Sequence, residues 1–325
     1  MLISVVIPTY NRLDSLKRVL DALEKQTYPV DQFEVRVISY GSTDGTIEYL
    51  QNLNSPLNLF SVQQPNGGAA AARNLGVQLA RGDIVIFLDD DVVPAPQLIT
   101  EHARLFQEHG MNIIVLGPML SPAGFQYSPW VQWEQDMLVK QYEAMLQNKW
   151  QPTARQFYTG NSSVTRRFLI EAGGFDPSFR RAEDVELAYR LAEKGLTFIF
   201  NPQAIGHHFA VRSFASWTNT PYAYGLNDVI FCEKKGQTWL IPTIQKEFTS
   251  RHPFTRGLIK LSLGRPVLRK IIVGIMKQIG VASHRLNRAR LSNISFSAIF
   301  NLLYYQGMAD QLGGRKVFFE RMGQQ

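Results

Sequence analysis

Short apolar runs alternate with amphipathic segments through the first hundred residues of the chain. The runs are rich in β-branched and aliphatic residues, and they predict strands at residues 4–8, 33–39, 59–63 and 84–89. Apolar residues at helical spacing predict helices at 13–23, 46–53 and 67–80. Because strand and helix repeat as a unit, we predict an α/β fold with a mostly parallel, twisted sheet flanked by helices.

The alternation becomes less regular in the second hundred residues and then stops. Strands are predicted at 113–120 and 196–200, and helices at 130–146 and 183–194. After about Trp217 the segments mix aliphatic and basic residues, as in 267–279. We therefore predict a first domain of residues 1–217, made of a half 1–100 and a half 101–217, and a helical, basic C-terminal region, 218–325.

The net charge of +7 belongs to the C-terminal quarter of the chain. Ten Lys and Arg residues and no Asp or Glu lie between residues 248 and 309, and the remainder has 24 basic against 27 acidic residues. Such asymmetry predicts an anionic partner surface, a membrane or a nucleic acid; a helical packing domain with a basic face is the alternative. Regularly interleaved aromatics and recognition motifs are absent from the tail, so we expect no nucleic-acid partner.

The uncharged segment 291–309 carries six polar side chains, so it is a poor membrane span and favours an interfacial amphipathic helix.

A hydrophobic content of 45% and a charged content of 19% are ordinary for a globular protein. The single cysteine, Cys232, excludes an internal disulfide and suits a reducing compartment. The first eight residues are too short and too quickly polar for a signal peptide. We expect a cytoplasmic protein that attaches peripherally to the inner face of the cell membrane.

Three consecutive carboxylates, Asp89, Asp90 and Asp91, end the apolar run that begins at Ile84. Adjacent acids beside a core stay charged only if something positive neutralises them. Ligands bind outside the carboxyl ends of strands in open α/β sheets. The triplet therefore predicts a divalent metal that carries a phosphorylated ligand, and a solvated acidic turn is the alternative.

Four further constellations accompany the triplet. They are a strand that runs into a turn at 5–11, a small-residue turn at 41–46 that could hold an anion, an Ala-rich segment at 66–76, and Gly-rich and acidic motifs at 160–163, 173–176 and 181–187. In this order, over residues 3–215, the motifs resemble the family 2 glycosyltransferases, which have the nucleotide-sugar-binding A-type fold. The resemblance implies that 1–100 is a nucleotide-binding half and 101–217 an acceptor half.

The resemblance also implies a role for each matching position. The donor-binding positions are Pro8, Thr9, Tyr10, Ser39, Tyr40, Arg73, Asp89 and Asp90. The metal-binding positions, for Mn²⁺ or Mg²⁺, are Asp89 and Asp91 of an Asp-x-Asp motif together with His208, which is preferred over its neighbour His207. The catalytic base would be Asp184, while Glu183 would position the acceptor and Asn161 would lie in a loop that shapes the acceptor site.

Ordinary structural explanations exist for several of these positions. Glu183 and Asp184 sit in the first turn of a predicted helix, where acids favour the helix dipole in any protein. Arg73 alone could be a solvated helix residue. The family usually has one or two aspartates where this chain has Ser39 and Tyr40. That departure leaves the nucleotide open among uridine, the family default, guanosine and thymidine.

The expected activity is inverting, metal-dependent transfer of one sugar from a nucleotide sugar to a hydroxyl of a glycan or lipid-linked glycan of the cell envelope. Processive synthases of the family carry Gln-x-x-Arg-Trp, which the segment 237–239 does not match, so we expect a non-processive, hexosyltransferase-like enzyme. The alternative, motivated by Ser39 and Tyr40, is a catalytically silent binding protein that docks through its basic region. A dinucleotide-dependent oxidoreductase is disfavoured because no Gly-x-Gly-x-x-Gly follows the first strand.

Overall fold

A computed structural model describes residues 1–323, which form two compact units. Unit 1 comprises Met1–Gln126 and Gln135–Ala210, and unit 2 comprises Tyr127–Glu134 and the residues from Val211 onward. This division falls slightly before the boundary predicted at residue 217 and assigns one short segment from the middle of the chain to unit 2.

Unit 1 contains every strand among the described residues. The strands are β1 (Ile3–Thr9), β2 (Phe33–Ser39), β3 (Leu59–Gln63), β4 (Ile84–Leu88), β5 (Val92–Pro94), β6 (Ile113–Leu116), β7 (Met119–Leu120), β8 (Asn161–Thr165), β9 (Thr197–Phe200) and β10 (Gly206–His208). The helices are α1 (Leu13–Leu23), α2 (Thr46–Asn52), α3 (Gly68–Leu79), α4 (Leu98–His109), α5 (Pro129–Leu146), whose first turns belong to unit 2, α6 (Arg166–Glu171) and α7 (Glu183–Glu193).

Seven strands form a mostly parallel sheet in the order β3-β2-β1-β4-β8-β6-β9. Strand β8 runs antiparallel to both of its neighbours, and the other adjacent pairs are parallel. This confirms the predicted α/β class. A second, three-stranded sheet has the order β5-β10-β7, so the segment after β9 that contains His207 and His208 is itself a strand.

Two strand predictions need correction. Residues 113–120 form β6 and β7 rather than one strand, and the break at Gly117 brings the backbone close to its neighbours. A Cβ at Gly117 would lie 2.3 Å from Asn161 Nδ2 and 2.4 Å from the Ala204 carbonyl oxygen. Strand β8 was not predicted, because its sequence is polar although every residue in it is buried.

The core of unit 1 forms where mostly apolar, buried strands meet amphipathic helices. β1, β2 and β4 are buried along their whole length, as expected of strands covered on both faces. Helix α1 adds Leu16, Val19, Leu20 and Leu23 to this core. On the other side, Gly76 lets helix α3 approach β1 closely, since a Cβ there would lie 2.3 Å from Val6 Cγ1.

Unit 2 contains helices only, apart from its connections. These are the start of α5, α8 (Phe214–Lys234), α9 (Leu240–Ser250), α10 (Pro253–Ser262), α11 (Pro266–Arg285), α12 (Ala289–Gln311) and α13 (Arg315–Arg321). Helices α8 and α12 pack at reciprocal glycines: a Cβ at Gly225 would lie 1.9 Å from the Tyr304 carbonyl oxygen, and one at Gly307 would lie 2.0 Å from that of Tyr222.

The predicted interfacial helix at 291–309 is wrong. These residues form most of α12. Phe296, Leu302 and Tyr305 are buried inside unit 2, and only the first two turns leave large side chains, Leu291 and Ile294, exposed. The polar side chains that suggested an interface are accommodated within the helix, as where Ser295 Oγ donates to the Leu291 carbonyl oxygen. None of the helices among residues 1–323 is long and apolar enough to cross a membrane.

Replacing Gly76 with alanine should destabilise unit 1 although alanine is the better helix former. The added methyl group would overlap Val6, which is fully buried in β1, and such overpacking costs about 1–3 kcal/mol. We expect a lower urea midpoint for Gly76→Ala. The control Gln78→Ala lies at an exposed position of the same helix and should leave the midpoint nearly unchanged. Equal midpoints for the two variants would contradict the close packing of α3 on β1.

Candidate active site

Arg73 joins two acidic segments that are far apart in the sequence. Its guanidinium Nη2 lies 2.8 Å from Asp89 Oδ1, and its Nη1 lies 3.0 Å from Glu183 Oε1. The side chain is 6% exposed, so the alternative of a solvated helix residue is wrong. Burial opposes the charge, but Asp89, Glu183 and Asp184 offset that effect and raise the pKa of Arg73 above its usual range. The arginine therefore fixes the end of β4 beside the start of α7.

Asp184 lies in the first turn of α7, which begins after a strained residue. Ala182 has a φ of 58°, in the left-handed region that is unfavourable for a residue with a Cβ. Asp184 Oδ1 accepts a hydrogen bond of 2.8 Å from the Val185 N–H. Burial among protein atoms, followed by the charge of Glu183, raises the pKa of Asp184 to about 7. A carboxylate that titrates near neutral pH is well suited to act as a general base.

Asp90 and Asp91 are held by Arg12, which the sequence analysis did not identify. Arg12 Nη1 lies 2.5 Å from Asp91 Oδ2 and 3.2 Å from Asp90 Oδ1. Asp90 also accepts a hydrogen bond of 2.8 Å from Thr9 Oγ1. Burial, despite Arg12, raises the pKa of Asp90 to about 7. Two features of the sequence could have identified Arg12: the acidic triplet requires positive charge nearby, and an arginine lies in the turn directly after β1.

The structure distinguishes the two adjacent histidines of β10. His208 Nε2 lies 3.6 Å from Asp91 Oδ1, and both side chains are about nine-tenths buried. His208 pairs with Val92, the residue that follows Asp91, which explains this proximity. Because side chains alternate along a strand, His207 is directed to the other face of β10. The geometry therefore favours His208 as the residue that could share a cation with Asp91.

Two tyrosines form the outer edge of the site beside the ends of β1 and β2. The rings of Tyr10 and Tyr40 are stacked, with centroids 5.4 Å apart and an interplanar angle of 19°. Tyr10 is 40% exposed, whereas Pro8, Thr9 and Ser39 are buried within the strands. Within the described part of the chain, Ser39 Oγ has no hydrogen-bond partner. The predicted donor-binding wall is thus an aromatic surface backed by a buried hydroxyl group.

The small-residue turn at 41–46 is held by side chains of its own neighbourhood. Asn11 Oδ1 accepts a hydrogen bond of 2.7 Å from the Thr43 N–H, and Asp44 Oδ1 accepts one of 3.3 Å from the Thr46 N–H. Two N–H groups that were candidates for anion binding are therefore already occupied. These hydrogen bonds instead join Asn11, which follows β1, to the turn that follows β2.

Asn161 lies in strand β8, not in the predicted loop. It is 2% exposed, and its Nδ2 donates to the carbonyl oxygens of Pro118, at 3.0 Å, and Ala204, at 2.7 Å. Because both acceptors are carbonyls, the remaining amide oxygen must accept, and it receives the N–H of His102 Nε2 at 3.0 Å. All of its polar atoms are used, so the geometry does not support contact with an acceptor.

His102 completes this network from helix α4. With Nε2 protonated, its Nδ1 accepts the hydroxyl hydrogen of Ser163 at 2.7 Å. Burial lowers the pKa of His102 to about 4, so the imidazole is neutral. Asn161 is paired with Leu88, the residue before Asp89, so the network supports the strand end that carries the acids.

Comparison with known proteins assigns the family. Residues 4–174, more than half of the chain, match the family model described as Glycosyl transferase family 2. The chain belongs to this family. It is 32% identical over 231 residues to validoxylamine A glucosyltransferase of Streptomyces hygroscopicus subsp. jinggangensis, an alignment that covers 63% of this chain and 54% of that protein. It thus spans only about half the length of this curated relative.

Two solved structures share the A-type fold of this family 2 protein. Staphylococcus aureus TarS 1–349 in complex with UDP-GlcNAc has a TM-score of 0.59 at 19% identity, over 97% of this chain and 93% of that chain. Mannosyltransferase PcManGT from Pyrobaculum calidifontis, in complex with GDP-Man and Mn²⁺, has a TM-score of 0.59 at 18% identity, over 94% and 86%. At this identity the likeness confirms the fold alone.

The site of this family 2 protein has more acidic than basic groups. Five carboxylates (Asp89, Asp90, Asp91, Glu183 and Asp184) contact or face two guanidinium groups. Arg12 and Arg73 cannot neutralise all five. Across residues 1–323 no group of three or more His, Cys, Asp or Glu side chains is preassembled to hold a metal.

His102 should make the stability of unit 1 depend on pH. The folded protein binds the His102 proton more weakly than the unfolded chain, so stability is fully present above pH 6.5 and is lost as pH falls towards 4. The shift from 6.5 to about 4 corresponds to about 3 kcal/mol. We expect this part of the acid destabilisation to disappear in His102→Gln. Urea unfolding across this pH range measures it, with His109→Gln, at the exposed end of the same helix, as the control. Parallel curves for wild type and His102→Gln would contradict the buried neutral imidazole.

Proposed function

We propose that this chain transfers a sugar from a nucleotide-sugar donor to a hydroxyl of a glycan or lipid-linked glycan, with inversion at the anomeric carbon. One observation carries the proposal: a single buried guanidinium, that of Arg73, holds both Asp89 of the Asp-x-Asp motif and Glu183 beside Asp184. This contact supports a single site that combines a group that would bind the donor with a group that would deprotonate the acceptor.

The donor is proposed to bind along the ends of β1, β2 and β4. Tyr10 and Tyr40 offer aromatic faces on which a base can stack, and Asp89, whose side chain is 35% exposed, is open to the ribose or diphosphate. The two proteins of similar fold are in complex with nucleotide sugars, TarS with UDP-GlcNAc and PcManGT with GDP-Man. A uridine donor is the first choice, with guanosine and thymidine donors as alternatives because Ser39 and Tyr40 replace the usual aspartates.

Asp184 is the proposed general base. It would take the proton of the acceptor hydroxyl as the oxygen attacks the anomeric carbon, while Glu183, held by Arg73, orients the acceptor. A positioned base contributes about 10²–10⁴-fold to rate. Attack from the face opposite the departing diphosphate forms the new C–O bond as the old one breaks, which gives inversion in a single displacement.

Asp91, His208 and Asp89 would hold a divalent metal together with the donor diphosphate. Carboxylate oxygen and imidazole nitrogen suit Mn²⁺, and carboxylate oxygen suits Mg²⁺. The distance of 3.6 Å between His208 Nε2 and Asp91 Oδ1 supports this assignment, because a nitrogen and an oxygen of suitable types are close together. When bound, the metal would neutralise the negative charge that develops on the leaving diphosphate.

We further propose that transfer is non-processive and serves cell-envelope glycans, on the cytoplasmic face of the membrane. The basic character of unit 2 supports peripheral attachment, because Lys and Arg residues are attracted to anionic lipid. A catalytically silent protein with the same fold would bind donors without turnover. The experiments below separate that alternative from catalysis.

Asp184→Asn should abolish transfer without abolishing donor binding. We expect nucleotide release from the preferred member of a UDP-, GDP- and dTDP-sugar panel to fall about 10²–10⁴-fold. The wild-type rate should rise with pH through the Asp184 pKa of about 7, because only the ionised carboxylate accepts a proton, and the residual rate of Asp184→Asn should lack this limb. Glu193→Gln, at the exposed far end of α7, is the control. Donor binding without turnover by the wild type would favour the silent protein.

Asp91→Asn should remove metal dependence. We expect a chelator to stop nucleotide release by the wild type and Mn²⁺ to restore it, while Asp91→Asn requires at least about tenfold more Mn²⁺, since one carboxylate ligand is lost. Asp83→Asn, an exposed acid at the other end of β4, is the control with the same charge change. A rate that is insensitive to both chelation and Asp91→Asn would show that the metal assignment is wrong.

A further inference from the structure

Helix α11 carries a row of large aliphatic side chains on its exposed surface. Val267 is 72% exposed, Ile271 53%, Ile275 51% and Ile279 40%. The four positions are spaced four residues apart, so each lies beside the one before it in a row that turns gradually around the helix, by about 40° at each step. We call this row the α11 stripe. Leu286, directly after the helix, extends the apolar surface with 68% exposure.

The stripe is not the face that α11 uses to pack within unit 2. The buried residues of the helix are Ile272, Gly280 and Ser283. At Gly280 a Cβ would lie 2.9 Å from the ring of Phe296, so the helix approaches α12 closely on that side. α11 thus has one apolar face inside unit 2 and a second, exposed one that the unit leaves uncovered.

Basic side chains accompany the stripe. Lys270 and Arg285 are exposed on the same helix, and Arg265 and Arg288 are exposed at its two ends. No Asp or Glu occurs between residues 248 and 309. The charge of this surface is therefore positive and is not offset by acids of its own segment.

We propose that the α11 stripe docks on an anionic lipid bilayer, with the four aliphatic side chains in the interfacial region and the basic residues on the lipid headgroups. The inference rests on the proposed membrane attachment and names the surface that performs it. A helix with an apolar face and a basic border lies in the plane of the interface. A second copy of the chain would instead bring like charges together, and a nucleic acid would leave the aliphatic row exposed to water.

Vesicle flotation of the full chain tests the proposal. The protein is mixed with vesicles of phosphatidylglycerol and phosphatidylcholine, or of phosphatidylcholine alone, and the bound fraction is measured. We expect binding to the anionic vesicles and about 30-fold to 100-fold weaker partition for Ile271→Ser combined with Ile275→Ser, because two side chains no longer enter the interface. Val30→Ser with Ile170→Ser removes two exposed aliphatics from unit 1, which are 45% and 52% exposed, and should bind like the wild type.

The charge contribution is measured separately with Lys270→Gln combined with Arg285→Gln. This pair should weaken binding to anionic vesicles about tenfold or more and reduce its salt dependence, since each basic residue near the surface contributes about 1 kcal/mol. Absence of wild-type binding, or equal binding by the serine pair, would overturn the proposal. A wild-type dimer that the serine pair converts to monomer would show that a second copy covers the stripe.

The catalytic proposal is scored independently on the same samples. Nucleotide release from a soluble donor, measured without vesicles, should be equal in the wild type, the serine pair and the control pair, because none of the changed residues lies in the active site. Vesicle binding without nucleotide release would leave the α11 stripe standing and reject the proposed catalysis. Nucleotide release without vesicle binding would do the reverse.

Discussion

The buried ion pairs of Arg73 are the constraint on which the rest of the site depends. One guanidinium group binds Asp89, 16 residues away in the sequence, and Glu183, 110 residues away. Removing either acid would leave the buried guanidinium with one counter-charge fewer, which destabilises the site. Movement of helix α7 away from the end of β4 would separate Glu183 from Arg73 and break this ion pair. The first turn of α7, and Asp184 with it, is held in place by an interaction that neither segment could form alone.

The same acids create a charge imbalance that defines what can bind. Two guanidinium groups face five carboxylates. Burial, with the neighbouring acids as a smaller cause, raises the pKa of Asp90 and of Asp184 to about 7. A diphosphate brings further negative charge and would be repelled by this surface unless a cation entered with it. The excess of acids is thus the feature that supports the proposed divalent metal accompanying the donor, while burial is the main reason that Asp184 is suited to accept a proton. Arg12, which is 43% exposed and lies on both Asp90 and Asp91, already provides part of this neutralisation.

The sequence predicted the elements whose pattern is local. Strands β1, β2 and β4 are rich in aliphatic residues and are buried along their whole length, so their local pattern located them, although β2 also buries Glu34 and Arg36. Strand β8 escaped prediction because Asn161, Ser162 and Ser163 are polar. The hydrogen bonds that compensate the burial of Asn161 and Ser163 come from residues distant in the sequence, among them His102, about 60 residues away. For residues 291–309, hydropathy could not distinguish an interfacial helix from a buried one. The helix is buried because of reciprocal close contacts, such as that of Gly307 with Tyr222. The hydropathy pattern of the sequence does not reveal such contacts.

The departures from ordinary sequence rules are concentrated around one strand end. β4 delivers three acids to its end, the strand beside it is polar yet buried, and α7 begins after Ala182, which has a positive φ without being glycine. Each departure costs stability: buried polar groups must find partners, and a left-handed alanine costs about 1–2 kcal/mol. In a sequence that specifies a fold, local propensity, hydrophobic pattern and core packing favour the same structure, except where function requires otherwise. The sheet departs from the apolar rule in β2 as well, where Glu34 and Arg36 form a buried ion pair. At the end of β4, however, three such costs coincide, and folding alone does not explain why they do.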